Sequence, residues 1–173
     1  MKRTLIVTAL ALAVILFNPI AAAYTKTPAN RNLDSIISQV QETATLPEIV
    51  TEGLELYKQG NVEAAVNKWT NSMISLFNEV SMDSDQKQEQ VRLLKESMPM
   101  ITMMLSTVRE KYGNCQEYSV IKSIQRNPYV RSIYLEMKQE KGSFYMEFIT
   151  VKTDKDWRIS HYHFSPDIED IFR

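Results

Sequence analysis

The chain is expected to fold as an α+β domain, with N-terminal helices packed on a curved four-stranded antiparallel sheet in a cone-like arrangement. Three observations predict this. Apolar residues recur at three- and four-residue spacing from Leu33 to Tyr112. From Gln116 the period drops to two, and β-branched and aromatic residues take over. The two patterns are segregated along the chain rather than interleaved, which separates α+β from α/β. With 173 residues, 44% of them hydrophobic and 24% charged, the chain supplies one ordinary core and does not divide into two large domains.

The first 23 residues read as a cleavable secretory signal. Lys2 and Arg3 form a basic start, Leu5 to Phe17 is apolar apart from Thr8, and Asn18-Pro19 breaks the run before Ala21, Ala22 and Ala23. That run falls short of the roughly 20 residues a membrane-spanning helix needs, and no cysteine stands at the cleavage point to carry a lipid. The expected product is exported, periplasmic or secreted, with no stable membrane anchor after cleavage. Residues 24 to 32 show no apolar period and are expected to form a disordered leader. A single α+β domain is expected over 33–173, made of an extra helix at 33–44, helices within 46–112 and a sheet within 116–165.

Each element has its own signal. Leu33, Ile36, Ile37 and Val40 make one stripe on the extra helix. Thr45-Leu46-Pro47-Glu48 is a start signal, with Thr45 and Glu48 placed for a capping box and Pro47 tolerated in the first turn. The next helix turns Leu46, Ile49, Val50, Leu54 and Tyr57 inward and stops at Gly60-Asn61. Val62, Ala65, Val66, Trp69, Met73, Leu76 and Val80 mark a further helix. After the polar stretch Ser81 to Asp85, Val91, Leu94, Met98, Ile101, Leu105, Val108 and Tyr112 mark a long one, kinked at Pro99 and stopped by Gly113-Asn114. The helical stripes are expected to cover one face of the sheet.

The strands follow as three hairpins. Tyr118, Val120 and Ile124 alternate with polar residues, and Asn127-Pro128 turns the chain into Val130 to Lys138. Lys141-Gly142 turns it into Ser143 to Thr153, and Asp154-Lys155-Asp156 into Trp157 to Ser165.

The last strand reads Trp157-Arg158-Ile159-Ser160-His161-Tyr162-His163-Phe164-Ser165 after an acidic turn. This W-x-I-x-H-x-H-x-S pattern resembles the final strand of the nuclear transport factor 2-like superfamily, cystatin-like in fold. Within it, the nearest likeness is to SnoaL-like members and the association domain of calcium/calmodulin-dependent kinase. The segment Gly53 to Ala65, with its Gly60-Asn61 gap, is similar to the helix that opens many such domains. The resemblance spans about residues 46 to 165. The extra helix at 33–44, and the lack of a short hairpin between the two longest helices, depart from the family's pattern. The resemblance implies a cone whose open end is a largely apolar pocket. The folds it is similar to include isomerases, cyclases and dehydratases, which set a carboxylate or histidine against a tyrosine or aspartate.

Candidate ligand-binding residues are Trp69, Met104, Tyr134, Tyr145, Met146, Glu147, His161 and His163. Methionine fills irregular apolar space and tolerates varied ligands; an H-x-H pair on one strand puts both rings on one face. A zinc site needs a third protein ligand, which neither Glu147 nor Asp167 supplies by spacing, and no metal or cofactor is expected. Ser165-Pro166-Asp167 lacks the base and oxyanion hole of a nucleophilic serine, so no catalytic residue is assigned. Cys115 is the single cysteine, so an intramolecular disulfide is excluded; a small buried hydrophobe at a helix end is its expected role. Leu54 to Trp69 has the small and aromatic positions of one tetratricopeptide unit, but no second copy follows, and such arrays need about three.

A formal charge of −1 and a pI near 6.2 lack the basic excess of a nucleic-acid footprint. Mean hydropathy of −0.27 excludes a chain of many membrane spans. Removing residues 1 to 23 takes away Lys2 and Arg3, leaving 18 basic against 21 acidic residues, or −3. The expected role is non-catalytic: an exported binding domain that holds an apolar or amphipathic small molecule, or a partner protein, in or beside the cone, and dimerises through the outer face of the sheet. The alternatives are a small lyase or isomerase using His161 or His163 with a tyrosine, and a structural envelope component.

Overall fold

The computed structural model describes residues 45–80 and 83–172. The expected signal, leader and extra helix lie outside the described residues. Among the described residues three helices precede four strands and a short final helix: α1 (Glu48–Lys58), α2 (Val62–Glu79), α3 (Ser84–Tyr112), β1 (Cys115–Asn127), β2 (Val130–Gln139), β3 (Gly142–Lys152), β4 (Trp157–Ser165) and α4 (Ile168–Ile171). The strands pair antiparallel in the order β1-β2-β3-β4, a curled meander, so the fold is α+β as the segregated periodicities predict. No helix among the described residues is long and apolar enough to cross a membrane.

Local chemistry accounts for most boundaries. Asp83 caps α3 by accepting from the backbone N–H groups of Asp85 and Gln86. Gly113, at φ +88°, ends that helix in a conformation an L side chain rarely adopts. The start of α1 departs from expectation. Pro47 takes the cap position and no side chain caps the helix, so the Thr45–Glu48 box does not form. Instead the Thr45 carbonyl accepts from Arg131 Nη1 at 3.3 Å, which ties this end of the helix to β2.

The core lies between the sheet and the first two helices. Trp69 of α2 stands edge-on to Phe148 at 5.2 Å and tilted against Tyr162 at 5.5 Å, and Tyr57 of α1 meets Phe144 edge-on at 5.7 Å. Leu54, Trp69, Leu135, Met137, Phe144, Met146 and Phe148 are fully buried. Polar ties fix the register of the layers. Ser72 Oγ accepts from the Ile159 N–H at 3.0 Å, and Tyr118 donates to Glu55 at 2.8 Å. Gly53 is required by packing: a Cβ there would overlap the Trp69 indole, so the bare α1 backbone is what lets that ring in.

The third stripe behaves differently from expectation. α3 packs on α2 rather than on the sheet. Of its apolar residues only Leu94 and Leu105 are buried, while Met100 and Met103 stand 42% and 62% exposed. α1 and α2 already cover the sheet, so the long helix lies beyond them.

Candidate functional site

Directly opposite residues in an antiparallel sheet share a face. Tyr134 of β2 lies opposite Glu147 of β3, and Glu147 opposite His163 of β4. The neighbouring row is Ser132, Ile149 and His161. Phe148, between these rows, pairs with Ile133 and Tyr162 and belongs to the helix-covered core. Tyr134, Glu147, His161 and His163 therefore stand on the far face of the sheet, away from α1 and α2.

Two irregularities complete the cluster. In β4 the register shifts between the Ile149–His161 and Thr150–Ile159 pairs, leaving Ser160 as the extra residue. This bulge reverses the alternation, so Ile159 points into the core while His161 and His163 both point away. In β1 the register shifts between Gln125 and Asn127, which leaves Arg126 unpaired and aims it across β2. Arg126 Nε donates to Ser132 Oγ at 2.8 Å, and Nη2 lies 3.8 Å from Glu147.

Burial dominates the electrostatics here. The Glu147 side chain is only 14% exposed, and desolvation pushes its carboxyl above the usual carboxylate range, opposed by a hydrogen bond from Tyr134 and the charge of Arg126. Burial and the adjacent carboxylate likewise push the Tyr134 hydroxyl up. Both imidazoles are lowered, chiefly by burial; the proximity of His163 lowers His161 further, while Asp170 partly restores His163. The site thus sets imidazoles held below their ordinary range, and a carboxyl and a phenol held above theirs, beside the Arg126 guanidinium, a set that can both donate and accept hydrogen bonds.

The C-terminal segment lies over this face. Ser165 Oγ accepts from the Asp167 N–H at 3.0 Å and donates to Asp170 at 3.1 Å, and Asp167 caps α4. Ile171 is 2% exposed, and the Phe172 ring stacks on Tyr134 at 4.8 Å with 26° between planes.

The structure divides the eight sequence-predicted site residues among three places. Tyr134, Tyr145, Glu147, His161 and His163 are on the far face. Trp69 and Met146 are fully buried in the helix-side core, and Met104 is half-buried on α3. The eight therefore do not line one cavity. Strand alternation separates Met146 from Tyr145 and Glu147, and Trp69, Phe144, Met146 and Phe148 are buried together between the sheet and the first two helices. A shallow open depression of about 530 Å³ lies between the start of α2 and the middle of α3, lined by Asn61, Glu63, Asn67, Thr102 and Ser106 among others; none of the eight borders it.

Arg126 and Ser132 are members that the sequence reading missed, and the signal for Arg126 was faint, a lone basic residue beside the Asn127-Pro128 turn. Phe172 comes from a tail whose apolar Ile168, Ile171 and Phe172 suit it to dock on the domain or a partner, and here it docks on the domain. Among the described residues no three histidine, cysteine, aspartate or glutamate side chains are grouped to hold a metal ion. Cys115 is buried, its thiol pushed up by desolvation and facing the Glu117 carbonyl at 3.6 Å.

A family model described as a domain of unknown function (DUF4878) matches residues 42–160. Among solved structures, the chain is similar to a Campylobacter jejuni protein described as an NTF2-like transpeptidase. The identity is 10%, the alignment covers 63% of this chain and 95% of that one, and the TM-score is 0.39. No curated protein matches.

Proposed function

The chain belongs to the DUF4878 family, whose description assigns no activity, and from its own geometry we propose that it is a non-catalytic binding domain whose recognition surface is the far face of the sheet, beside the cone rather than inside it. The observation that carries this reading is Glu147. A carboxyl set in the middle of a sheet, mostly buried and held by Tyr134 and Arg126, costs stability relative to an apolar residue at the same place. Such a cost is expected where a group serves recognition. The ligand is amphipathic, with an apolar part against Tyr134 and a polar part that exchanges hydrogen bonds with Glu147 and His163. The reading of residues 1 to 23 as a signal supports a role in the periplasm or outside the cell. The finer likeness of the last strand, to SnoaL-like and kinase-association domains, belongs to the same proposal, as does a homodimer through the sheet.

One observation favours a second reading. A raised carboxyl beside a tyrosine, with a histidine directly across the strand, is the acid–base set of a small lyase or isomerase. Native mass spectrometry of the chain purified from its own envelope tests the first reading. A stoichiometric bound species that is lost in Tyr134→Ala and Glu147→Ala and kept in Met104→Ala is the expected result. Loss in Met104→Ala with retention in the far-face variants contradicts it.

A further inference from the structure

The far face already has an occupant, and its contacts define a chemistry. Three consecutive residues of the C-terminal segment each meet a different part of the site. Asp170 accepts from Ser165 Oγ and lies close enough to His163 to bias its protonation. Ile171 is buried, and Phe172 stacks on Tyr134. The apolar hold on this segment is small. α4 is four residues long, Phe172 remains 43% exposed and Ile168 36% exposed, so Ile171 is its one fully buried apolar anchor. Short elements with so little burial open at low free energy.

We infer that the segment Asp167–Phe172 is a displaceable resident of the far-face site, and that the ligand it yields to is a peptide presenting an acidic, an aliphatic and an aromatic residue in that order. The aromatic side chain replaces Phe172 on Tyr134, the aliphatic one fills the place of Ile171, and the acidic one takes the Ser165 hydroxyl and faces His163. The inference deepens the binding-domain reading and rests on it. It names the ligand as peptide, and it makes the tail a competitor that sets the threshold for binding.

The test uses full-length protein and a labelled peptide of sequence Ser-Pro-Asp-Ile-Glu-Asp-Ile-Phe-Arg, that of residues 165–173, followed by fluorescence anisotropy. A tethered segment competes at an effective concentration of order millimolar. The Ile171→Ala/Phe172→Ala chain is therefore expected to bind the peptide at least about ten-fold more tightly than the wild type. Adding Tyr134→Ala, or replacing the peptide's phenylalanine by alanine, is expected to remove binding. If the double variant unfolds, Phe172→Ala alone is expected to give the same ordering with a smaller factor. Equal affinity in wild type and variants overturns the inference. So does N-acetylphenylalaninamide binding as tightly as the peptide, which would make the ligand a small aromatic molecule. A species lost in Glu147→Ala by mass spectrometry, together with no effect of the tail variants, would keep the far face as the site and remove the tail from it.

Discussion

Met146 and Phe148 on one side of β3, and Tyr145 and Glu147 on the other, are neighbours in sequence and opposites in physics. The first pair is fully buried against α1 and α2, among rings that interlock at 5 to 6 Å. The second faces a surface where an arginine, two histidines, a tyrosine and the chain's own tail converge around one mostly buried carboxyl. One face is built to hold the fold together, and the other keeps groups that a stability-driven sequence would replace. A single strand thus carries two environments one residue apart, because side chains alternate with period two.

Substitutions along that strand sharpen the contrast. Phe148→Ala removes a ring packed against Trp69 and Tyr162 and should cost about 3–5 kcal/mol in chemical denaturation. Tyr145→Ala on the opposite side should cost well under half of that, and equal losses would dissolve the distinction. Gly53→Ala tests the core from the helix side. Its methyl meets the Trp69 indole, and a loss of about 1–3 kcal/mol should outweigh the gain in helix propensity of roughly 1 kcal/mol. A more stable Gly53→Ala chain would show that the indole is not held against α1.

The far face should reveal itself through pH. His161 and His163 have folded values below their ordinary 6.5, so the unfolded chain takes up protons first as pH falls. Their contribution to stability is complete above about 6.5 and is lost on acidification below it. The melting temperature should therefore fall from pH 7 toward pH 5, and less steeply in a His161→Gln/His163→Gln chain. A double variant with an unchanged slope would place the titration elsewhere. The smallest effect belongs to α3: Met103→Ser, at a residue 62% exposed, should stay within about 0.5 kcal/mol of the wild type.

Much of this architecture was legible in the residues, and the physical reason differs by region. Helix and strand existence followed from the two hydrophobic periods, and the turns from the pairs Gly60-Asn61, Gly113-Asn114 and Lys141-Gly142, whose glycines take positive φ. The fate of α3 was not legible. Its stripe reads like those of α1 and α2, yet whether an apolar stripe finds a sheet depends on how much sheet the earlier helices leave uncovered. The site was legible residue by residue and not as a constellation. Tyr134, Glu147, His161 and His163 stood out by type, but the face they share depends on the bulge at Ser160, which periodicity does not reveal. Arg126 owes its reach to another bulge, and Phe172 its place to a tail that folds back, a contact between residues 38 apart in sequence.

On the proposed reading Glu147 serves recognition rather than the fold, and Glu147→Gln tests this most directly because the amide keeps the shape and one acceptor oxygen while removing the charge. Its folded carboxyl lies above the ordinary 4.5, so the wild type's contribution is present below that value and declines as pH rises through the folded one. In thermal unfolding at pH 7, the Glu147→Gln chain should therefore be as stable as the wild type or more so, by on the order of 1 kcal/mol, with the difference shrinking toward pH 4.5. A variant that melts several degrees below the wild type at pH 7 would show the carboxylate and Arg126 to be structural, and would contradict the account.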